Sequence, residues 1–248
     1  REDYARLLDE REIKYTLSDR LENAILLENV NFGALPGFDE GYFFVQDEAS
    51  QICVEALGAL EGERIIDACS CPGSKSFGTA IRMKSKGEIR SFDLHESKLS
   101  LINDSRDRLG LRNLTVRSLD ATVGCEELFG KADRVICDVP CSGLGVFAKK
   151  PDLRYKDIDT ASELPALQLN ILRKSAEYLK AGGVLVYSTC TLNPEENEGV
   201  TDSFIRENPD FTYEDFEVSD LKCKGKITLL PYIHGTDGFY IAKLRKLK

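Results

Sequence analysis

Short apolar runs alternate with amphipathic stretches over most of the chain. From Arg64, the segments RIIDAC (64–69), EIRSFD (88–93), NLTVRS (113–118), ADRVICD (132–138) and VLVYSTC (184–190) read as strands. Between them the spacing predicts a helix after the loop at 67–77 and a second from about Glu96 to Leu109, stopping at Gly110. A third runs from about Ser162 to Leu179 and ends at Gly182-Gly183. This alternation implies a mostly parallel sheet with helices on both faces. KITLLP (226–231) and GFYIAKL (238–244) have no room between them for a crossover helix, so they should pair antiparallel at one edge. Upstream, FFVQ (43–46) predicts a short strand. It leads into a helix with apolar positions Ile52, Leu57 and Leu60 and an acidic first turn at Asp47 and Glu48.

Residues 1–40 predict a helix from Asp3 to about Glu10, a strand around Ala24 to Leu27, and a loop carrying Gly33, Pro36 and Gly37. That is too little for a domain. The expectation is that 1–40 are the tail end of one domain, with a boundary near Gly41 and a second domain over 41–248. Residue 1 is Arg rather than Met, which predicts a processed or cut chain.

The 248 residues, 42% hydrophobic and 30% charged, exclude a disordered or fibrous protein. No apolar run approaches the roughly 18 residues of a membrane helix and no signal peptide is evident, so a soluble, cytoplasmic protein is expected, without a membrane partner. The net charge is -9, with ten acids and five bases in residues 1–40. An acidic balance argues against strong non-specific nucleic-acid binding, which rests on Lys and Arg at phosphates. Eight cysteines in a chain this long do not make a secreted disulfide scaffold. Cys53, Cys125, Cys137 and Cys223 read as buried small apolar groups.

In open α/β sheets, ligands bind at the carboxyl ends of the strands. Those ends carry Asp67-Ala68-Cys69, Asp93, Ser118 to Asp120, Asp138 and Cys190. The loop DACSCPGSKSF offers backbone N–H groups at a helix start. Asp93 suits ribose hydroxyls and Asp120 an adenine amino group, so the set suits an adenosine-containing cofactor. A phosphate-binding P-loop is a weaker reading, because the first Gly is missing and Lys75 follows Ser; a GxGxxG fingerprint is absent.

DVPCSG (138–143) and YSTC (187–190) put two thiols at neighbouring strand ends. A thiolate can add to C6 of a pyrimidine, with a carboxylic acid, here Asp138, at ring N3. C5 then becomes a nucleophile for an activated methyl, a base removes the C5 proton, and the thiol leaves. A buried structural role for Cys141 competes with this reading. Zinc held by Cys69, Cys71, Cys137 and Cys141 is disfavoured by their spacing, so no metal is expected. The two histidines, His95 and His234, fit no triad or metal spacing, and His95 is expected in solvent.

DACSCPGSK, the FD at 92–93, DVPCSG, KPDLRYK, LQLNIL, GGVLVYSTCTLNPEENE and HGTDGFYIAKL resemble the RNA (cytosine-5) methyltransferases. Among these they are similar to the bacterial small-subunit ribosomal RNA enzymes of the RsmB (Sun/Fmu) type. The resemblance runs from about Phe43 to Leu244. It implies a class I, Rossmann-like fold with a seven-stranded, mostly parallel sheet and an antiparallel C-terminal edge strand, plus a partial N-terminal small domain, so that 1–40 would be the remnant of an N-terminal RNA-binding domain and 41–248 the methyltransferase catalytic domain. It also implies S-adenosylmethionine as cofactor, bound by Cys69, Ser70, Cys71, Pro72, Gly73, Ser74, Lys75, Asp93, Asp120 and Asp138. The catalytic set would be Cys190, Cys141, Asp138 and Lys75. In RNA enzymes the TC cysteine, here Cys190, attacks, and the PC cysteine, here Cys141, assists release; DNA cytosine-5 enzymes attack from the PC cysteine, and chemistry alone does not choose.

The family loop usually reads DxCAAPGGK. Cys71 here replaces an Ala and Ser74 a Gly, so the backbone at 74 has less freedom. Lys149, Lys150, Arg154 and Lys156 would line the rim where a flipped base arrives. The resulting expectation is a monomer that makes 5-methylcytosine in ribosomal RNA. The alternatives are the same chemistry on transfer RNA, or a non-catalytic ribosome-assembly factor that keeps the fold.

Overall fold

The structure, a computed structural model, describes residues 1–155 and 162–248, without the side chains of 154 and 155. Its elements run α1 (Glu2–Glu10), β1 (Thr16–Leu17), β2 (Ile25–Leu26), α2 (Glu48–Leu57), β3 (Arg64–Asp67), α3 (Ser74–Arg82), β4 (Glu88–Asp93), α4 (Leu99–Arg108) and β5 (Leu114–Ser118). There follow β6 (Ala132–Asp138), α5 (Leu164–Glu177), β7 (Leu179–Thr189), α6 (Glu198–Glu207), β8 (Phe211–Tyr213), β9 (Phe216–Val218), β10 (Leu221–Cys223), β11 (Lys226–Leu229), α7 (Pro231–His234) and β12 (Phe239–Lys246).

The main sheet has the order β11-β12-β7-β6-β3-β4-β5, with β8 also pairing β12. The five strands from β7 to β5 are parallel; β12 is antiparallel to β7, β8 and β11. Strand order reverses at β3, which lies between β4 and β6, and in open α/β sheets ligands bind at such a switch point, beyond the carboxyl ends.

Successive strand residues face opposite sides, so a sheet covered twice needs apolar residues at both parities. Ile65, Ile89, Ile136, Val186 and Ile241 face one core with Ile52 of α2, Phe77 of α3 and Ile102 of α4. Ile66, Val135, Leu185, Tyr187 and Tyr240 face the other, with Leu172 of α5 and Phe204 of α6. The same alternation puts Asp67, Asp138 and Ser188 on the α2–α3 side.

Several expected elements differ. FFVQ forms no strand; its aromatics pack instead, Phe43 on Tyr4 at 5.2 Å and Phe44 on Phe77 at 5.9 Å between ring centroids. The third predicted helix ends at Glu177, and Gly182-Gly183 lie inside β7, where the pairing with β6 shifts register. Glycines that read as a helix stop therefore serve a strand irregularity. Glu96–Lys98 form a 3-10 turn ahead of α4. The β9–β10 hairpin and α6 were not anticipated.

Residues 1–40 contribute α1 and the β1–β2 hairpin. Leu21 and Ala24 share the core of α2, Phe216 and Val218. Arg20 pairs with Asp220 and donates to the His234 carbonyl, while Arg108 of α4 donates to the carbonyls of Phe38 and Phe43.

Candidate active site

The loop after β3 leads from the carboxyl end of the sheet into α3. Gly73 carries φ +106°, a left-handed conformation that glycine adopts without strain, and a Cβ there would overlap the Phe77 ring. Ser74 is already the first helical residue and has no positive φ. The glycine freedom lost at 74 is therefore not needed at 74. Asp93, at the end of β4, accepts backbone N–H bonds from Cys71 on Oδ2 and His95 on Oδ1, each 3.1 Å. Asp120 is exposed beyond β5 and accepts from the Thr122 backbone and hydroxyl, which hold its carboxyl below the usual range. Asp120, Asp93, the 69–74 loop and Asp138 thus follow β5, β4, β3 and β6 along one edge. Three strand spacings of about 4.8 Å separate the outer pair, a row of about 14 Å.

Beneath the loop, Asp67 is fully buried; its Oδ2 accepts from Ser76 (2.6 Å) and its Oδ1 has no partner among the described residues. Burial pushes this carboxyl up to about 7, against the Ser76 bond that lowers it.

At the other end, Asp138 and Ser188 are paired neighbours on β6 and β7, and the Ser188 hydroxyl donates to Asp138 Oδ1 at 2.6 Å. Lys75 reaches from α3 to donate to Asp138 Oδ2 at 2.7 Å, and its Nζ lies 3.4 Å from Ser50 Oγ and 5.1 Å from the Phe239 ring centroid. Burial works against the Lys75 charge, but Asp138 outweighs it and the ammonium is held well above its ordinary range. Both Asp138 oxygens accept here, Oδ1 from Ser188 and Oδ2 from Lys75, so Lys75 stands within hydrogen-bond distance of the acid expected at ring N3.

Cys141 and Cys190 are brought together, with their sulfurs 3.2 Å apart and both thiols free. Shared hydrogen bonding splits their acidities. The bond from Cys141 lowers Cys190, helped by Lys75 and Lys150 and opposed by burial and Asp138; the same bond and burial raise Cys141. When Cys190 is the ionised member, its thiolate can only accept, and Cys141 S–H is the donor across the 3.2 Å contact. Gly145 keeps the Cys141 loop in place. Its N–H donates to the Cys190 carbonyl (3.0 Å), its carbonyl accepts from Gly238 (2.9 Å), and a Cβ at 145 would overlap the Gly238 carbonyl.

Other sequence readings fare variously. Cys53, Cys137 and Cys223 are buried and Cys125 is half-buried; His95 is exposed. Among the described residues no group of three or more His, Cys, Asp or Glu could hold a metal ion. Nor, among them, is any helix long and apolar enough to cross a membrane. Lys149 is not a bare rim cation: Asp47 and Asp237 hold its ammonium at 2.6 and 2.7 Å. Lys150 is exposed. Lys156 and the Arg154 side chain lie outside the described residues. Ser188, Ser50 and the buried Glu196 were not assigned from sequence; the only signal for Glu196 was an acidic residue inside the NPEEN motif.

Residues 54–245 match the family model described as 16S rRNA methyltransferase RsmB/F. The chain is 39% identical, over 98% of its length, to a protein from Bacillus subtilis (strain 168) named probable ribosomal RNA small subunit methyltransferase B, and covers 57% of it. A methyltransferase homolog protein from Pyrococcus horikoshii superposes with a TM-score of 0.85 at 28% identity, over 99% of this chain and 82% of that one. NSun6 from Pyrococcus horikoshii, solved with SFG, gives 0.79 at 32%, over 88% and 57%. The chain spans about half the length of the curated relatives it matches.

Proposed function

This chain belongs to the RsmB/F family of 16S rRNA methyltransferases, and from that premise we propose that it methylates C5 of a cytosine in ribosomal RNA through a covalent adduct with Cys190. The observation that carries this reading is the pair of sulfurs 3.2 Å apart, next to the Lys75–Asp138 pair. S-adenosylmethionine is the cofactor, and the row from Asp120 to Asp138 suits its length. The left-handed turn at Gly73 and the two-point anchoring of Asp93 leave the loop backbone close to where a nucleoside would lie. When bound, the cofactor supplies an electrophilic methyl group.

Cys190 thiolate adds to C6 of the flipped base, forming the S–C6 bond, while ring N3 takes a proton from the Lys75–Asp138 pair. Ser188 keeps Asp138 aimed at the base, and C5 becomes nucleophilic. After methyl transfer the C5 proton passes to water, C5=C6 re-forms, the S–C6 bond breaks, and N3 returns its proton. The leaving Cys190 thiolate recovers the hydrogen bond from Cys141, which is how Cys141 assists release. Lys150 would meet the RNA backbone first, because Lys149 is already paired. Residues 1–40 would be part of the RNA-binding side of the molecule, and the enzyme would act in the cytoplasm.

RNA carrying 5-fluorocytosine tests the reading. The wild type should leave an adduct stable on a denaturing gel, and Cys190→Ala should lose it together with methyl transfer, by at least about a thousandfold. An adduct that survives in Cys190→Ala and disappears only in Cys141→Ala would exchange the two roles.

A further inference from the structure

Glu196 is 0% exposed, and its carboxylate accepts four hydrogen bonds. Oε2 takes the Ser142 backbone N–H and Gln168 Nε2, each at 2.9 Å; Oε1 takes Ser142 Oγ at 2.5 Å and Asn193 Nδ2 at 3.1 Å. The Tyr187 hydroxyl donates to its backbone carbonyl at 2.6 Å. A buried carboxylate is costly unless donors surround it, so a fold that merely linked two loops had less expensive means. The placement of these donors is specific. Ser142 directly follows Cys141, and Asn193 lies three residues after Cys190. Gln168 also donates to the carbonyl of Pro140, on the other side of Cys141, at 3.0 Å. The backbone on both sides of one thiol, and the loop that carries the other, are therefore fastened to one carboxylate and its partner amide. A hydroxyl contact from Ser142 to Thr191 (2.8 Å) runs alongside.

We propose that Glu196 is a positioning residue for the thiol pair, holding the Cys141 sulfur within hydrogen-bond reach of the Cys190 sulfur and so serving release of the methylated base. This rests on the function proposed above. In release, the electron pair of the broken C5–H bond forms C5=C6, the C5 proton goes to water, and the S–C6 pair leaves on Cys190 as a thiolate. Cys141 S–H then donates to that thiolate. A hydrogen bond to the free thiolate stabilises it relative to the adduct. When Cys141 drifts, the leaving group is poorer and the adduct persists.

Glu196→Gln keeps the shape but turns an N–H₂ group toward at least one donor that had an oxygen. With small-subunit ribosomal RNA and S-adenosylmethionine, this variant should accumulate the RNA–protein adduct. Release should slow by roughly tenfold to a hundredfold, the scale of an angstrom-sized misplacement. Ser142→Ala removes only one of the four bonds and should show a smaller accumulation of the same sign, which keeps the test available if Glu196→Gln folds poorly. In both variants the pH profile of Cys190 alkylation by iodoacetamide should move upward, while Lys75, Asp138 and Lys150 still act on that sulfur. Slow turnover with no adduct accumulation, or an unmoved alkylation profile, overturns the proposal. Cys141→Ala is the control. If it accumulates no Cys190 adduct either, the proposed function fails; if it does and Glu196→Gln does not, only the role of Glu196 fails.

Discussion

The two ends of the site are built by different means. On the β4–β5 side, half-buried Asp93 and exposed Asp120 are held by amides and a hydroxyl two residues away or in the adjoining loop. On the β6–β7 side, Asp138, Cys141 and Cys190 are held by side chains 49 to 63 residues distant, among them Lys75 and Ser188. A recognition surface can be made from local turns, because its carboxylates only have to be presented. A reacting centre has to keep several groups from different elements in register, which requires buried, cross-linked side chains.

The largest effect expected concerns the charge cost of Asp67, buried at the end of β3 between the two sides. Asp67 folds with its carboxyl raised from 3.8 to about 7. Its contribution to stability is therefore full below pH 3.8 and lost as pH rises through 7. Asp67→Asn removes that dependence, so the variant should gain on the wild type by about 3 kcal/mol between pH 5 and pH 8. Urea unfolding at the two pH values checks this, and a difference that does not change with pH would show that the site stores no such cost.

A smaller effect probes the exposed half. Asp93→Ala should weaken binding of S-adenosylhomocysteine about tenfold in calorimetry, the worth of one or two hydrogen bonds. Alkylation of Cys190 should be unchanged; a shift there would mean that the halves are coupled through the loop. The smallest concerns Ser74→Gly. Position 74 is already helical, so restoring the family's glycine should cost about 0.5–1 kcal/mol in stability and leave cofactor affinity within about twofold. A large gain in affinity would show that Ser74 restrains the loop after all.

The same division explains what could be read from the sequence. Strand ends and the residues that follow them are local, so the sheet, its antiparallel edge and the row of carboxylates were legible from apolar periodicity and turn residues. Helix stops were less so: Gly182-Gly183 fits a strand irregularity as well as a helix terminus, and only pairing with β6 decides. The Asp138–Lys75 pair and the Glu196 cluster depend on which side chains meet across 54 to 63 residues of chain. One-dimensional patterns carry no such information. Lys149 shows the same limit, since its partners Asp47 and Asp237 lie 102 and 88 residues away.

The placement of β12 has a consequence for how the molecule is made. Residues 239–246 lie between β7 and β11, and residues 18–24 meet the segment 216–234 through Leu21 and Arg20. During synthesis, β7 emerges with one edge unpaired and stays so until some fifty further residues have left the ribosome. Vectorial folding can mature the β3–β6 half early, but closure of the β7 edge waits for translation to pass residue 246.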